Sequence, residues 1–330
     1  MPKLSVIIPI YGVEKYIERC AKSLFEQTLD DIEFIFVNDC TQDMSIEILK
    51  TVIESYPNRK DQIRIIHHKT NKGLSRARET GVQAATGDYI AHCDSDDWID
   101  LSMYETMYNN AIENNSDVVK CGHKIVNDNE ILQVNNVYFK PGVFSNEVVI
   151  AWLLTSKGWN SIWDTMVKRS IYSNNCIKFT DIPMLEDMVV MAQVYSYARI
   201  ITIVQQPYYN YYKNPMSICG KSSEEDYIRR AIQANSNLEQ IFSFIKSLWG
   251  DKFYDEILVA KFVPKNILIN IMNNKDNYNV WHQIYPEIKF STYFTSKLSF
   301  IHKIRLLMVD LHIYPLYKLL KRNLTYIISR

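Results

Sequence analysis

Along the first hundred residues, short apolar runs alternate with amphipathic stretches. LSVIIPI (4–10) is an unbroken run rich in β-branched side chains, the pattern of a strand buried on both faces. The stretch VEKYIERCAKSLFEQTL then places Ile17, Ala21, Leu24 and Phe25 at helical spacing. IEFIFVND (32–39) predicts a second strand, and SIEILKTVIESY a second helix that stops before Pro57. IRIIHH (63–68) predicts a third strand, SRARETGVQAA a third helix and DYIAHC a fourth strand. Strand-helix-strand repetition at this spacing implies a parallel α/β sheet with right-handed crossovers.

Placed on that frame, the polar residues gather at one edge. Pro9 and Tyr11 lie at the C-terminal end of the first strand, Asn38 and Asp39 end the second, and Asn71, Lys72 and Arg76 follow the third. Asp94, Ser95, Asp96 and Asp97 end the fourth. Open α/β sheets bind ligands at this carboxyl edge.

The segment GDYIAHCDSDDWID (87–100) crowds Asp94, Asp96, Asp97 and Asp100 together. Like charges so close require either retained protons or a cation among them. No GxxxxGK[ST] is present, and PIYGVEKY stands where a GxGxxG would follow the first strand, so neither phosphate-cradling loop is available. In extended backbone Asp94 and Asp96 point the same way and can share one cation. All-oxygen donors suit Mg²⁺ or Mn²⁺, which keep open positions for water and substrate phosphates. The ion would bridge the aspartates to a diphosphate, with Arg76 and Lys72 near its other oxygens. The plainer readings are local: Asp100 caps a helix starting near Leu101, a bare DxD arises by chance, and Asp39 alone is a turn residue.

The bulk properties narrow the class. The chain has 330 residues, 47% hydrophobic and 22% charged, as expected for a soluble globular protein. Lys+Arg and Asp+Glu balance at 37 each, so nothing points to nucleic acid. No apolar run reaches the roughly 18 to 20 residues of a membrane span, and MPKLSVIIPIYG carries no signal-peptide pattern, so a cytoplasmic location is expected. The six cysteines are scattered, with no CxxC pair, as free thiols in a reducing compartment would be.

Four blocks together resemble a known family. SVIIPIYGVEKYIERCAKSLFEQTL, EFIFVNDCTQD and NKGLSRARETGVQAATGDYIAHCDSDDWI look like the nucleotide-sugar-binding half of family 2 inverting glycosyltransferases. Further on, WDTMVKRSIYSNNCIKFTDIPMLEDMVVMAQVYSYARIITIVQQPYYNYYKNPMSI (163–218) resembles that family's acceptor-side region. The resemblance fades after about residue 220. It implies a GT-A fold, an α/β Rossmann-like and mostly parallel sheet flanked by helices, with a helical C-terminal region. Residues 1–100 would be the nucleotide-sugar-binding half, 101–220 the acceptor-binding half and 221–330 the helical region. Carried over, Pro9, Tyr11 and Glu14 match the first nucleotide-contacting block, and Asp39 matches a base-contacting aspartate. Arg76 matches a diphosphate-side arginine, with Lys72 and Ser95 beside the donor nucleotide. Asp94 and Asp96 match the metal-binding DxD with Asp97 as an extra ligand, Asp187 matches the catalytic base, and Glu186 is an orienting neighbour. Two departures stand out: Cys40 and Thr41 replace a usual Gly-Ser pair, and Glu79 replaces an Asn that often follows the helix arginine.

The implied reaction is metal-dependent transfer of a sugar, from a UDP-linked donor, to a hydroxyl of a glycan or lipid-linked glycan. A carboxylate base takes the hydroxyl proton as the bond forms, and the metal stabilises the leaving diphosphate. The Asp187 neighbours in IPMLEDMVVM are apolar and would raise its pKa toward a working base; the plainer reading of Glu186 and Asp187 is an acidic first turn of a helix. Alternatives are a GT-A-like nucleotidyltransferase, which would need a Gly-rich basic loop after strand one, and a non-catalytic sugar-nucleotide-binding homologue.

The remaining aromatic and basic features read mostly as structure. YYNYY (208–212) predicts packed strand, with one ring free to stack on an acceptor; of Trp152, Trp159 and Trp163, two are expected in the core and one at the acceptor cleft. His67, His68, His92 and His123 show no metal spacing. EEDYIRRAIQANSNLEQIFSFIKSLW and YDEILVAKFVPKNILINIM predict amphipathic helices. Residues 297–330 hold seven Lys or Arg against one Asp among apolar residues. That mixture suits either peripheral contact with the inner face of an anionic membrane or a basic helix docked on the protein.

Overall fold

The computed structural model describes residues 1–128, 130–135, 141–155, 160–214, 223–272, 275–288, 292, 298 and 300–314. The chain divides into two compact units, Met1–Leu153 with Lys157–Gly220, and Lys221–Arg330 with Leu154–Ser156.

In the first unit the expected alternation forms. Strands β1 (Leu4–Ile10), β2 (Ile32–Asn38), β3 (Ile63–His67) and β4 (Tyr89–His92) are separated by helices α1 (Ile17–Phe25), α2 (Ser45–Glu54) and α3 (Leu74–Ala84). There follow β5 (Trp98–Ile99), α4 (Met103–Glu113), β6 (Val118–Val126), β7 (Ile131–Asn135), β8 (Gly142–Ser145) and α5 (Asn146–Leu154). β9 (Thr165–Lys168), α6 (Arg169–Asn175), α7 (Glu186–Tyr197) and β10 (Ile200–Tyr212) complete it. One sheet runs β3-β2-β1-β4-β9-β6-β10-β5, with β7 on β6 and β8 on β10. The first four strands are parallel, with Ile7 level with Ile35 on one side and His92 on the other. Beyond β4 the pairing is mixed: β9 is antiparallel to β4 and β6, while β10 runs parallel to β6. The β10–β6 register shifts around Pro207, because a proline cannot donate to the ladder.

Every residue of β1 is buried, which accounts for its unbroken apolar run. α1 covers one face of the sheet with Ile17, Cys20, Ala21, Leu24 and Phe25, all buried. Phe25 meets Phe34 edge-on, with ring centroids 5.4 Å apart. Strand order reverses at β1, whose neighbours are β2 and β4. The loops after these strands therefore flank a crevice at the carboxyl edge. α4 starts at Met103, and Asp100 does not cap it. Its carboxylate instead accepts from Lys124 Nζ at 2.8 Å and Asn210 Nδ2 at 2.9 Å, because the β5–β10 pairing brings those strands alongside.

In the second unit α8 (Glu224–Trp249) starts at Ser223, whose Oγ accepts from the Asp226 amide at 3.1 Å, a standard N-cap. Its buried stripe of Ala231, Ala234, Leu238, Ile241, Phe242 and Ile245 follows the helical period. α9 (Tyr254–Ala260), α10 (Phe262–Leu268), α11 (Lys275–Gln283) and α12 (Phe300–Asp310) follow, and α8 packs on α10. No helix among the described residues is long and apolar enough to cross a membrane. Of the basic segment 297–330, residues 315–330 lie outside the described ones, as does Trp159.

The approach of α3 to the sheet depends on Gly81. A Cβ there would lie 2.3 Å from Ile7 Cγ2 and 3.2 Å from Ile7 Cβ. In an exposed helix Gly→Ala stabilises by about 1 kcal/mol. Gly81→Ala is expected to do the reverse, lowering stability by about 1–3 kcal/mol through overpacking. Denaturant unfolding reads this directly; an unchanged or raised midpoint would mean that Ile7 gives way freely.

Candidate active site

Four loops at the carboxyl edge build the site, and polar contacts hold each in place. The loop after β1 is stitched to the loop before α2. Gly12 N donates to Thr41 Oγ1 at 2.8 Å, Val13 N to Ser45 Oγ at 3.1 Å and Glu14 N to Asp43 Oδ2 at 2.9 Å. Glu14 returns the contact by accepting from Met44 N at 3.1 Å. Pro9 is buried in β1 opposite Val37, while Tyr11 just beyond it is 56% exposed. Cys40 adopts φ 60, a left-handed conformation that glycine takes freely and other residues at a cost of about 1–2 kcal/mol.

Asp39, buried at the end of β2, organises the next loop. Its carboxylate accepts from Lys72 N at 2.8 Å and Gly73 N at 2.7 Å, and meets His68 Nδ1 at 2.7 Å. His68 Nε2 lies 2.9 Å from Thr80 Oγ1. Asp39 thereby fixes the backbone that leads into α3, leaving the Lys72 side chain exposed.

The DSDD turn follows β4 and splits into inward and outward carboxylates. Asp97 is buried: Oδ2 accepts from Tyr209 Oη at 2.7 Å and Oδ1 from Tyr212 N at 2.7 Å. Tyr209 Oη accepts in turn from Asp94 N at 3.1 Å. This relay bolts the turn to β10 and spends both oxygens of Asp97 inside the protein. Ser95 is buried. Asp94 and Asp96 remain part-exposed; Asp96 Oδ2 accepts from Asn214 at 3.2 Å. Behind the turn, Arg19 Nη2 donates to Asp96 O at 3.0 Å, and its guanidinium lies 3.7 Å from the Trp98 ring centre.

The link between the two halves of the site is Arg78. It is 3% exposed on the inner face of α3, where Ala77 and Gly81 are its buried companions. Nη2 donates to Asp94 Oδ1 at 2.7 Å and Nη1 to Asp187 Oδ1 at 2.5 Å. One guanidinium thus spans the first aspartate of the DSDD turn and the candidate base. Burial pulls its pKa down, but Asp187, Asp94 and Glu186 outweigh that and raise it. Arg76, two residues earlier, points elsewhere: it pairs with Asp181 at 2.6 and 2.8 Å and with Glu79 at 2.7 Å. The sequence did carry a signal for Arg78, namely an arginine placed in the apolar stripe of an amphipathic helix.

Glu186 and Asp187 open α7, behind Leu185 at φ 65 and ψ 26. A second donor, Ile162 N, reaches Asp187 Oδ2 at 3.3 Å. Burial raises the Asp187 pKa; Arg78 and the Ile162 amide work against it and Asp94 with it. Glu186 is pushed up to about 8 by burial first and then by Asp187, with Arg78 opposing. Asp96 is raised by burial and then by Asp94, and buried Asp97 is raised well above the usual range by burial and then by Asp96 and Asp94. The crowd of carboxylates thus surrounds one buried cation, while burial and mutual repulsion raise the pKa values of Asp96, Asp97 and Glu186.

Among the described residues no three His, Cys, Asp or Glu side chains cluster as a metal site. The donor chemistry nevertheless fits a hard ion at Asp94 and Asp96. Each keeps one carboxylate oxygen outside the hydrogen bonds to Arg78 and Asn214, and Mg²⁺ or Mn²⁺ is commonly held by one or two carboxylates plus substrate phosphates. On the far side of Asp187, the 161–165 turn brings in buried Asp164, bonded to Lys120 Nζ at 2.5 Å and Ser161 Oγ at 2.9 Å. Trp163 stacks on Tyr209 and Tyr211, with centroids 4.4 and 5.7 Å away. Trp152 packs against Phe144.

The Glu186 shift has a defined consequence. A carboxyl whose folded pKa lies above the ordinary 4.5 favours the folded state at low pH, and that contribution is lost as pH rises toward the folded value. Glu186→Gln removes the titration. Its stability relative to the parent is expected to climb between about pH 4.5 and pH 8, as read by denaturant midpoints across that range. A constant difference would place the Glu186 pKa near its ordinary value.

Comparison with known proteins agrees with this geometry. The glycosyl transferase family 2 domain is matched over residues 5–169. The uncharacterized glycosyltransferase EpsJ of Bacillus subtilis is 33% identical over 249 residues, which cover 71% of this chain and 69% of that protein. Among solved structures, S. aureus TarS 1-349 in complex with UDP-GlcNAc aligns with a TM-score of 0.59 at 18% identity, covering 95% of this chain and 88% of that one. The mannosyltransferase PcManGT of Pyrobaculum calidifontis, in complex with GDP-Man and Mn2+, aligns with a TM-score of 0.54 at 13% identity, covering 94% and 87%. With its matched domain, its relative and a GT-A sheet carrying acidic residues at the carboxyl edge, the chain belongs to glycosyl transferase family 2 and is a glycosyltransferase.

Proposed function

We propose that the protein moves a sugar from a UDP-linked donor to a hydroxyl of a glycan or lipid-linked glycan, in a single inverting displacement that depends on a divalent metal. The observation that carries this reading is the Arg78 bridge, which sets Asp94 and Asp187 on two arms of one guanidinium. A diphosphate at Asp94 and a base at Asp187 then flank the space where an anomeric carbon must lie. The TarS complex with UDP-GlcNAc supports the choice of UDP, and the PcManGT complex with Mn2+ supports the metal.

In this reading Pro9, Tyr11, Glu14 and Asp39 border the nucleotide, through the two loops they stitch together. Lys72 supplies positive charge from the loop after β3, and Arg76 would add to it on exchanging Asp181 and Glu79 for diphosphate oxygens. Asp94 and Asp96 would hold Mg²⁺ or Mn²⁺, which would supply Lewis-acid stabilisation to the departing diphosphate. Asp187 accepts the proton of the acceptor hydroxyl, a contribution of about 10² to 10⁴-fold for a positioned base. Its oxygens are oriented by Arg78 and the Ile162 amide. Glu186, holding its proton more tightly, keeps a second negative charge away from Asp187. Asp97 anchors the turn to β10. Inversion follows because a single displacement on one face needs no protein nucleophile. Lipid-linked acceptors would place the enzyme at the inner face of the cell membrane, where the basic segment 297–330 makes peripheral contact with anionic lipid.

Calorimetric titration with UDP, GDP, CDP and TDP, with and without Mn²⁺, tests the donor side. Binding of UDP that needs the metal and is lost in Asp96→Ala is expected. Asp187→Asn should lose transfer by at least about 10²-fold while still binding UDP in a metal-dependent way, more weakly than the parent because Arg78 loses one of its two partners. Nucleotide binding that ignores both metal and Asp96→Ala would overturn the reading.

A further inference from the structure

We propose that Trp163 is the acceptor platform, the side chain against which a pyranose ring of the acceptor docks beside Asp187. The inference rests on the glycosyltransferase reading above and adds the chemical class of the acceptor's terminal unit. It follows from where the indole is held, from how rigidly, and from what it leaves exposed.

The residue next to Trp163 touches the candidate base. Ile162, the residue before Trp163, donates its amide to Asp187 Oδ2 at 3.3 Å, so the indole is carried on the strand of backbone that touches that carboxylate. Arg78 joins the same Asp187 to Asp94 of the DSDD turn. The indole also stacks on Tyr209, whose hydroxyl bonds to Asp97 and the Asp94 amide, so its immediate neighbours reach both Asp187 and the DSDD turn.

The turn that carries it is rigid. Buried Asp164 is clamped by Lys120 Nζ at 2.5 Å and Ser161 Oγ at 2.9 Å. Its carbonyl accepts from Cys121 N at 3.0 Å, and Thr165 Oγ1 closes the turn on Ile162 O at 2.6 Å. The indole lies nearly parallel to Tyr209 and Tyr211, at interplanar angles of 27° and 19°, with His123 edge-on at 4.8 Å. A ring fixed in advance loses little conformational freedom when a ligand docks.

Exposure separates a platform from plain core packing. Tyr209 fills the core at 0% exposure, whereas Trp163 is only partly buried against it. Trp163 keeps part of its surface exposed, and its indole carries an N–H donor as well as an aromatic face. Partly exposed aromatic surface beside an N–H donor suits a pyranose, which offers C–H bonds on its ring faces and hydroxyls at its rim. An acyclic polyol has no such ring face.

Saturation-transfer NMR tests this on the whole protein with UDP and Mn²⁺ present. The probes are methyl β-D-glucopyranoside, methyl β-D-galactopyranoside and ribitol. The expected result is transfer to the C–H protons of one ring face of a pyranoside, weak transfer to ribitol, and loss of the pyranoside signal in Trp163→Ala. In transfer assays Trp163→Ala should raise the acceptor KM about ten-fold or more, a larger change than any in its Kd for UDP. Trp163→Phe, which keeps a stacking ring but no N–H, should fall between. Unchanged pyranoside saturation in Trp163→Ala, equal saturation of ribitol, or a fall in kcat at constant KM in Trp163→Phe would overturn the platform. Failure of the unaltered protein to bind UDP would instead overturn the function on which it rests. If Trp163→Ala loses UDP binding through misfolding, Trp163→Phe decides the matter, and its acceptor KM must rise for the proposal to stand.

Discussion

One buried guanidinium holds the site together. Arg78 is out of water, and desolvating it is expensive unless both ends of its fork are matched. Asp94 and Asp187 match them, one from the turn after β4 and the other from the first turn of α7. The three positions are separated by 16 and 109 residues along the chain, so only the finished fold makes the bridge. Removing either carboxylate would leave a buried charge short of a partner, which binds the two halves of the site into one cooperative unit. Gly81, one turn further along α3, allows the helix to sit close enough on Ile7 for Arg78 to reach both.

Much of this was legible in the sequence because it depends on periodicity. The four parallel strands and their three helices read directly from apolar runs and helical spacing, since a strand buried on both faces and an amphipathic helix leave different patterns. The gathering of Asp39, Lys72, Arg76 and the DSDD turn at one edge also follows from topology alone. What the sequence concealed were the partners of particular side chains. Arg76 and Arg78 look equivalent in SRARETG, yet two helical positions point about 200° apart. One meets Asp181 and Glu79, and the other meets Asp94 and Asp187. The inward turn of Asp97 was hidden for the same reason, because its partners Tyr209 and Tyr212 come from a strand more than a hundred residues away. Asp100 reads as a helix cap from local rules, but pairing across the sheet gave it Lys124 and Asn210 instead.

The departures from the family pattern now have physical content. Cys40 stands where glycine is usual and still holds a left-handed backbone, while the Thr41 hydroxyl accepts the Gly12 amide, a bond that a serine in that place could also make. The loop geometry survives the exchange at the expense of some strain. Glu79, in place of the usual Asn, pairs with Arg76 and helps to orient it toward Asp181. The acidic pair behind Leu185 sits at another left-handed residue, so backbone strain recurs beside the groups to which the proposed chemistry falls.

The central claim is that Arg78 joins donor binding to base catalysis. The most direct measurement compares Arg78→Met with the unaltered protein in two assays, Mn²⁺-dependent UDP binding and sugar transfer, at matched folded fraction. Both are expected to fall by at least about ten-fold, as when one member of a buried charge bridge is removed. Binding and transfer that both stay within about two-fold, below the 1.4 kcal/mol that marks a ten-fold change, would contradict it and reduce the bridge to a structural contact.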